Sequence, residues 1–124
     1  LFIPNDHLEN KKKKLTQFLK IRAKDIFTDR LDQWAEAMNL SYKSLKLSSA
    51  KTRWGSCSSK KNINLNWKLI FAPMNIIDSV VIHELAHLKH MNHSKDFWEW
   101  VRQFDPNEKK HTKWLKENGF LLNL

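Results

Sequence analysis

His83-Glu84-Leu85-Ala86-His87-Leu88-Lys89-His90-Met91-Asn92-His93 places four histidines and a glutamate at the end of an almost wholly apolar segment. Upstream, Ile76, Ile77, Val80, Val81, Ile82, Leu85 and Leu88 recur so densely that a helix from Pro73 to about His90 is apolar nearly all round. Such a helix belongs in the interior. Pro73 suits its first turn, where the missing N–H costs nothing. On that helix His83 and His87 lie one turn apart on the same face. Two ring nitrogens so placed reach one zinc ion at about 2.0–2.1 Å each. Glu84 is turned about 100° from His83. It is badly placed to ligate and well placed to take a proton from a polarised water and pass it to a leaving amine. At this composition an H-E-x-x-H match arises by chance in about 1% of chains of this length. The plainer alternative is a set of ordinary hydrogen-bonded histidines.

Two histidines compete to be the third ligand. His90 shares the stripe of His83, but seven residues along a straight helix rise about 10.5 Å, too far for one ion. His93 follows Met91-Asn92, where a left-handed Asn92 would end the helix and fold the chain back. His93 is therefore preferred. Three protein ligands leave a fourth position open, as catalytic zinc requires, whereas a fourth ligand, His90, would close a structural site.

Outward from this segment, residues 8–39 read as one long helix. Ala23, Phe27, Leu31, Trp34 and Met38 recur at steps of three and four, with Leu15, Phe18 and Leu19 leading in and Asn39 as the stop. Alternation predicts strands at 42–47 and 63–67, with a turn over 58–62, in a small antiparallel sheet. Ser94 caps a helix carrying Phe97, Trp98, Val101 and Phe104. Asp105-Pro106-Asn107-Glu108 opens a last helix that Asn118-Gly119 is expected to end.

The 124 residues fit one domain, 1–124, and their 41% apolar and 28% charged content excludes disordered and membrane classes. The chain opens on Leu1, so it is expected to be the C-terminal part of a longer one. A single cysteine, Cys57, excludes an intrachain disulfide and points to a reducing, cytoplasmic setting. It is most simply a small buried residue, with an inhibitory thiolate on the zinc as the sharper alternative. The net charge of +9 gathers at Lys11–Lys24 and Lys43–Lys61, which are either solvated faces or a surface for DNA.

Lys51-Thr52-Arg53-Trp54-Gly55-Ser56-Cys57-Ser58, Ile63-Asn64-Leu65-Asn66-Trp67, His83-Glu84-Leu85-Ala86-His87-Leu88 and Asn92-His93-Ser94-Lys95-Asp96-Phe97-Trp98, in that order, resemble the YgjP-like metallopeptidases, relatives of the SprT-like zinc proteases. The resemblance covers roughly residues 10–119. It implies an α+β, minimal zincin-like fold: a long N-terminal helix, a small sheet, an active-site helix and two C-terminal helices. It also implies zinc on His83, His87 and His93, with Glu84 as general base. His90 stands where metzincins carry glycine, and no methionine turn follows, so the chain is not placed among them. A strand reaching Trp54-Gly55 is a candidate edge for pairing with an extended substrate. Arg53 then binds the carbonyl oxyanion or pairs with a carboxylate; a structural Arg–acid pair and a core Trp54 are the plainer roles. Asn64 and Asn66 are expected to tie down a turn or the active-site helix. Tyr42 and His111 are the other candidate donors to a tetrahedral intermediate.

The expectation is a zinc-dependent peptidase acting on protein or peptide substrates, with DNA-associated proteins a candidate class and no membrane partner. The rivals are a nucleic-acid-binding module around a structural zinc and a non-peptidase zinc hydrolase.

Overall fold

Ala23, Phe27, Leu31, Ala35 and Met38 recur every three or four residues and are all buried, which fixes the inward face of the first helix, α1 (Asn5–Met38). The computed structural model describes residues 5–49 and 53–122. Asn39 ends α1 in the left-handed conformation at φ 56°, and Leu40 N–H reaches back to the Ala35 carbonyl at 2.8 Å. Leu15 and Phe18 depart from the sequence reading, being 58% and 59% exposed. The packed face begins only at Leu19, because the helix runs out past the elements that cover its later turns.

Three strands follow: β1 (Ser44–Ser48), β2 (Gly55–Cys57) and β3 (Asn62–Asn66). The sheet is mixed, not antiparallel as the sequence suggests. β3 lies in the middle, parallel to β1 with Leu45 opposite Ile63, and antiparallel to β2 with Ser56 opposite Asn64. The tight turn 58–61, with Lys61 at φ 67°, reverses β2 into β3 and makes their pairing antiparallel.

Asn66 then caps a 3₁₀ segment, Trp67–Phe71, by accepting from Lys68 N–H at 3.1 Å. Helices α2 (Met74–Ala86), α3 (Lys95–Phe104) and α4 (Glu108–Leu122) complete the described residues. Pro73 is the cap of α2 rather than its first residue. Ser94 caps α3 as expected, its Oγ accepting from Phe97 N–H at 3.3 Å. Asp105 does not cap α4. Its buried carboxylate takes the Ser79 hydroxyl at 2.6 Å and stands 2.9 Å from His111 Nδ1, joining α2 to the α3–α4 connection. Gly119 does not end α4, which continues to Leu122.

Phe27, Leu31, Ile63, Leu65, Leu69, Val81, Leu85 and Phe97 form the fully buried centre between α1, the sheet and α2. Arg30 clamps α1 to α2 through a forked pair, Nε to Asp78 Oδ1 at 2.7 Å and Nη2 to Oδ2 at 2.9 Å.

Candidate active site

Helix α2 ends at Ala86, four residues short of the sequence expectation, and His87 is its C-cap. Leu88 N–H bonds the Leu85 carbonyl at 2.9 Å and Lys89 N–H the Ala86 carbonyl at 3.1 Å, so the last turn tightens and releases the chain. Asn92 does not turn the chain by a positive φ; a Ser94 N–H to Asn92 carbonyl bond of 2.8 Å folds it instead. This brings His93 back over His83, with their Nε2 atoms 3.2 Å apart. One ring nitrogen from each of His83, His87 and His93 lies within 4.8 Å of the others. Nitrogens sharing one tetrahedral zinc at 2.0–2.1 Å sit about 3.3 Å from each other.

The His87 ring is oriented from behind. Its Nδ1 lies 3.1 Å from the His90 carbonyl, which can only accept, so Nε2 carries the lone pair. The ring also stacks on Phe97 at 4.6 Å, and His93 stacks on Trp98 at 5.7 Å. His90 stays outside the cluster. Its ring meets the edge of Trp100 at 6.2 Å, and Lys89 Nζ stands 4.7 Å over the same indole. Burial, reinforced by His87 and His93, lowers the His83 pKa to about 4. Burial lowers that of His87 too, against its bond to His90. Both rings are thereby held neutral, the form that binds a metal.

Glu84 is buried beside the cluster. Burial raises its carboxyl to about 7, opposed by the Arg53 charge. A Cβ placed on Gly55 would lie 3.0 Å from both Cγ and Oε2 of Glu84, so the bare glycine of β2 is the surface on which that carboxylate rests. Cys57 lines the same hollow but does not join the ligand group. Its thiol is pushed up to about 11 by burial and the Glu84 charge, which disfavours a thiolate.

Arg53, Trp54 and Gly55 all border the site. Among the described residues Arg53 has no ion pair, so the structural Arg–acid reading is not the arrangement found. Asn66 holds this stretch, its N–H on the Trp54 carbonyl at 2.8 Å and its amide on the Arg53 carbonyl at 3.5 Å. Asn64 binds Ser56 Oγ at 3.3 Å. Tyr42 and His111 are elsewhere, paired with Asp32 at 2.6 Å and with Asp105. Of the basic clusters, Lys24 bonds the Leu45 carbonyl and Lys20 lies 5.7 Å over Trp67, whereas Lys11, Lys12, Lys13 and Lys14 are exposed. Lys51 and Thr52 lie outside the described residues. The sequence reading missed Trp100 and Gly119. Trp100 stands six residues after Ser94 on the α3 face turned back to the 87–93 connection, a relation visible only once that connection folds back.

The family model "YgjP-like, metallopeptidase domain" matches residues 2–118, and the chain belongs to this family. It is a metallopeptidase, a hydrolase of the metalloprotease class. No match was found among curated proteins. The fold is similar to the crystal structure of the zymogen of abylysin, a metallopeptidase of Pyrococcus abyssi, with TM-score 0.66, 22% identity, and 73% of this chain and 93% of that one covered. It is also similar to the zymogen of jannalysin, a metallopeptidase of Methanocaldococcus jannaschii, with TM-score 0.56, 20% identity, and coverage of 63% and 80%. No described helix is long and apolar enough to cross a membrane.

Proposed function

We propose that the chain is a zinc-dependent peptidase in which His83, His87 and His93 hold the metal and Glu84 is the general base. The observation that carries this is the convergence of three imidazole nitrogens within 4.8 Å, in a hollow that Glu84 also lines. Three neutral imidazoles are a donor set that suits zinc and leaves a coordination position open, which favours a catalytic over a closed structural site. Zinc bound there supplies a Lewis acid that polarises both the scissile carbonyl and the attacking water.

The remaining work falls to the chain. Glu84 accepts the proton of the water as its oxygen bonds to the carbonyl carbon. It then delivers that proton to the amine nitrogen as the C–N bond breaks. β2 is an edge strand of the sheet, beside Glu84, and supports an extended substrate through backbone hydrogen bonds.

Metal analysis together with a hydrolysis assay tests this reading. About one zinc per chain is expected, lost in His83→Ala and His87→Ala, strongly weakened in His93→Ala and little changed in His90→Ala. Glu84→Gln retains zinc and fold and loses nearly all hydrolysis. Undiminished cleavage by that variant overturns the base assignment. A parent that holds zinc and cleaves no peptide points instead to a structural-zinc module or to another zinc hydrolase.

The +9 charge, with Lys11–Lys14 exposed, supports DNA-associated proteins as the substrate class. Each phosphate neutralised adds about 0.9 to the logarithmic salt slope on duplex DNA. A slope of several units, reduced by Lys12→Glu and Lys13→Glu, is the expected result; a flat salt response removes this part of the reading.

A further inference from the structure

Two hollows meet at Gly55, His83 and Glu84. One holds the histidine cluster. The other is a cleft of about 260 Å³ that runs between β2, α2 and α4, walled by Trp54, Val80 and Leu115, with Arg53 among its lining residues. Its polar lining groups are Arg53, Ser79, His83, Glu84 and Thr112, and of these Arg53 carries the one permanent positive charge. Ser79 donates to Asp105 Oδ2 at 2.6 Å, and Glu84 rests buried against Gly55. The Arg53 guanidinium is exposed and has no hydrogen bond or ion pair to any described residue; it acts on Glu84 only through space. Arg30 and Arg102, by contrast, are each paired with a carboxylate, Asp78 at 2.7 Å and Glu108 at 3.3 Å.

An apolar-walled cleft beside the reacting position admits the body of one substrate side chain. A free guanidinium in its lining then selects what that body carries. Its planar fork of five donors matches a carboxylate with two parallel bonds, a match that neither an amide nor an alkyl group reproduces.

We infer that this cleft takes a substrate residue bearing a carboxylate, with Arg53 as the specificity-determining residue that binds it. The inference rests on the proposed peptidase reading. The carboxylate belongs either to an Asp or Glu side chain or to the free C-terminus of the substrate, and both present the same two oxygens.

Alanine-based peptides containing a single Glu or Gln, each with a free or an amidated C-terminus, separate these sources. Cleavage is followed by mass spectrometry. Binding of the same peptides to the zinc-loaded Glu84→Gln protein is followed by calorimetry. A side-chain carboxylate gives a preference of about two- to fivefold for Glu over Gln, and a terminal one gives the same preference for free over amidated ends. Arg53→Gln collapses the ratio toward one, Arg53→Lys keeps part of it, and Arg53→Glu turns it against acidic peptides.

A parent indifferent to all four peptides overturns the inference. So does an Arg53→Gln variant that slows all four equally and keeps the ratio, since that is what a purely structural role produces. If no peptide is cleaved but the Glu84→Gln protein still binds the carboxylate forms more tightly through Arg53, carboxylate recognition stands and the peptidase reading falls. If there is neither cleavage nor selective binding, both fall.

Discussion

Gly55 and Glu84 share one space: a Cβ on the glycine would stand 3.0 Å from the Cγ and from Oε2 of the glutamate, and 3.1 Å from Leu65 Cδ2. The proposed base is thus aimed by the absence of a side chain on the neighbouring strand. Gly55→Ala has to move Glu84, because Leu65 is buried core and does not yield. A contact of 3.0 Å is relieved by a shift smaller than the roughly 1 Å misplacement that costs on the order of 100-fold in rate. Gly55→Ala is expected to keep its metal and to slow hydrolysis by less than that factor, and metal analysis beside a kinetic assay checks both halves.

Trp100 is expected to act on the metal without touching it. It holds Lys89 and His90, and the His90 carbonyl orients His87. Groups that orient a ligand from behind change metal affinity about 10- to 100-fold when removed. Trp100→Ala is expected to weaken zinc in a chelator competition by that factor, and Trp100→Phe by less. Equal affinities in parent and both variants would detach the indole from the site.

Gly119 meets the indole of Trp54, where a Cβ would lie 3.0 Å from Cζ2. Leucine at 119 gains helix propensity of roughly 1 kcal/mol over glycine, and overpacking typically costs about 1–3 kcal/mol. Gly119→Leu is therefore expected to lower Tm. It is also expected to raise KM, since Trp54 walls the cleft beside Glu84. An unchanged KM with a lowered Tm would confine the contact to stability.

The Arg30–Asp78 fork joins α1 to α2 with one geometry that lysine cannot copy. A charge-assisted bond of this kind contributes about 1.5–3 kcal/mol. Arg30→Lys is expected to lose much of that and Asp78→Ala rather more, read from urea midpoints at constant slope.

Tyr42 is the only tyrosine, so its ionisation is read directly from the phenolate absorbance. Burial, helped by its bond to Asp32, pushes its pKa up to about 12. The fold thus favours the neutral phenol. The stability this contributes is complete below pH of about 10 and is lost as pH rises toward 12. Asp32→Asn is expected to lower the absorbance midpoint, and a midpoint unmoved from that of free tyrosine in the parent would contradict the contact.

The parts of this molecule legible in its sequence are those whose cause is local. Histidines four apart on an apolar helix, Ser94 before a helical run, and Asn39 after one each carry their own geometry. What escaped depends on partners distant in the chain. Alternation locates β1 and β3 without giving their relative direction, which the return through β2 decides. Leu88 prolongs the apolar pattern of α2 although the helix has ended, because it still packs on the core from the tightened turn. Gly119 has the composition of a helix stop and serves as a site of close approach to Trp54. Leu15 and Phe18 continue the period of a helix whose neighbours do not extend that far.

The three candidate ligands all come from the eleven residues 83–93, whereas the glycine that aims Glu84 is 29 positions upstream. During folding these two events close loops of very different length. On the proposed reading, capture of a metal by His83, His87 and His93 needs the end of α2, a short reversal and the Phe97 and Trp98 rings of α3, all close in the chain, so it has low contact order and can precede the sheet. Seating Glu84 on Gly55 waits for β2 and β3 to dock on α2. If the proposed ligands and base are right, a population of chains can be fully metal-loaded while part of it has yet to seat Glu84, and metal content and active-site concentration are then two separate quantities.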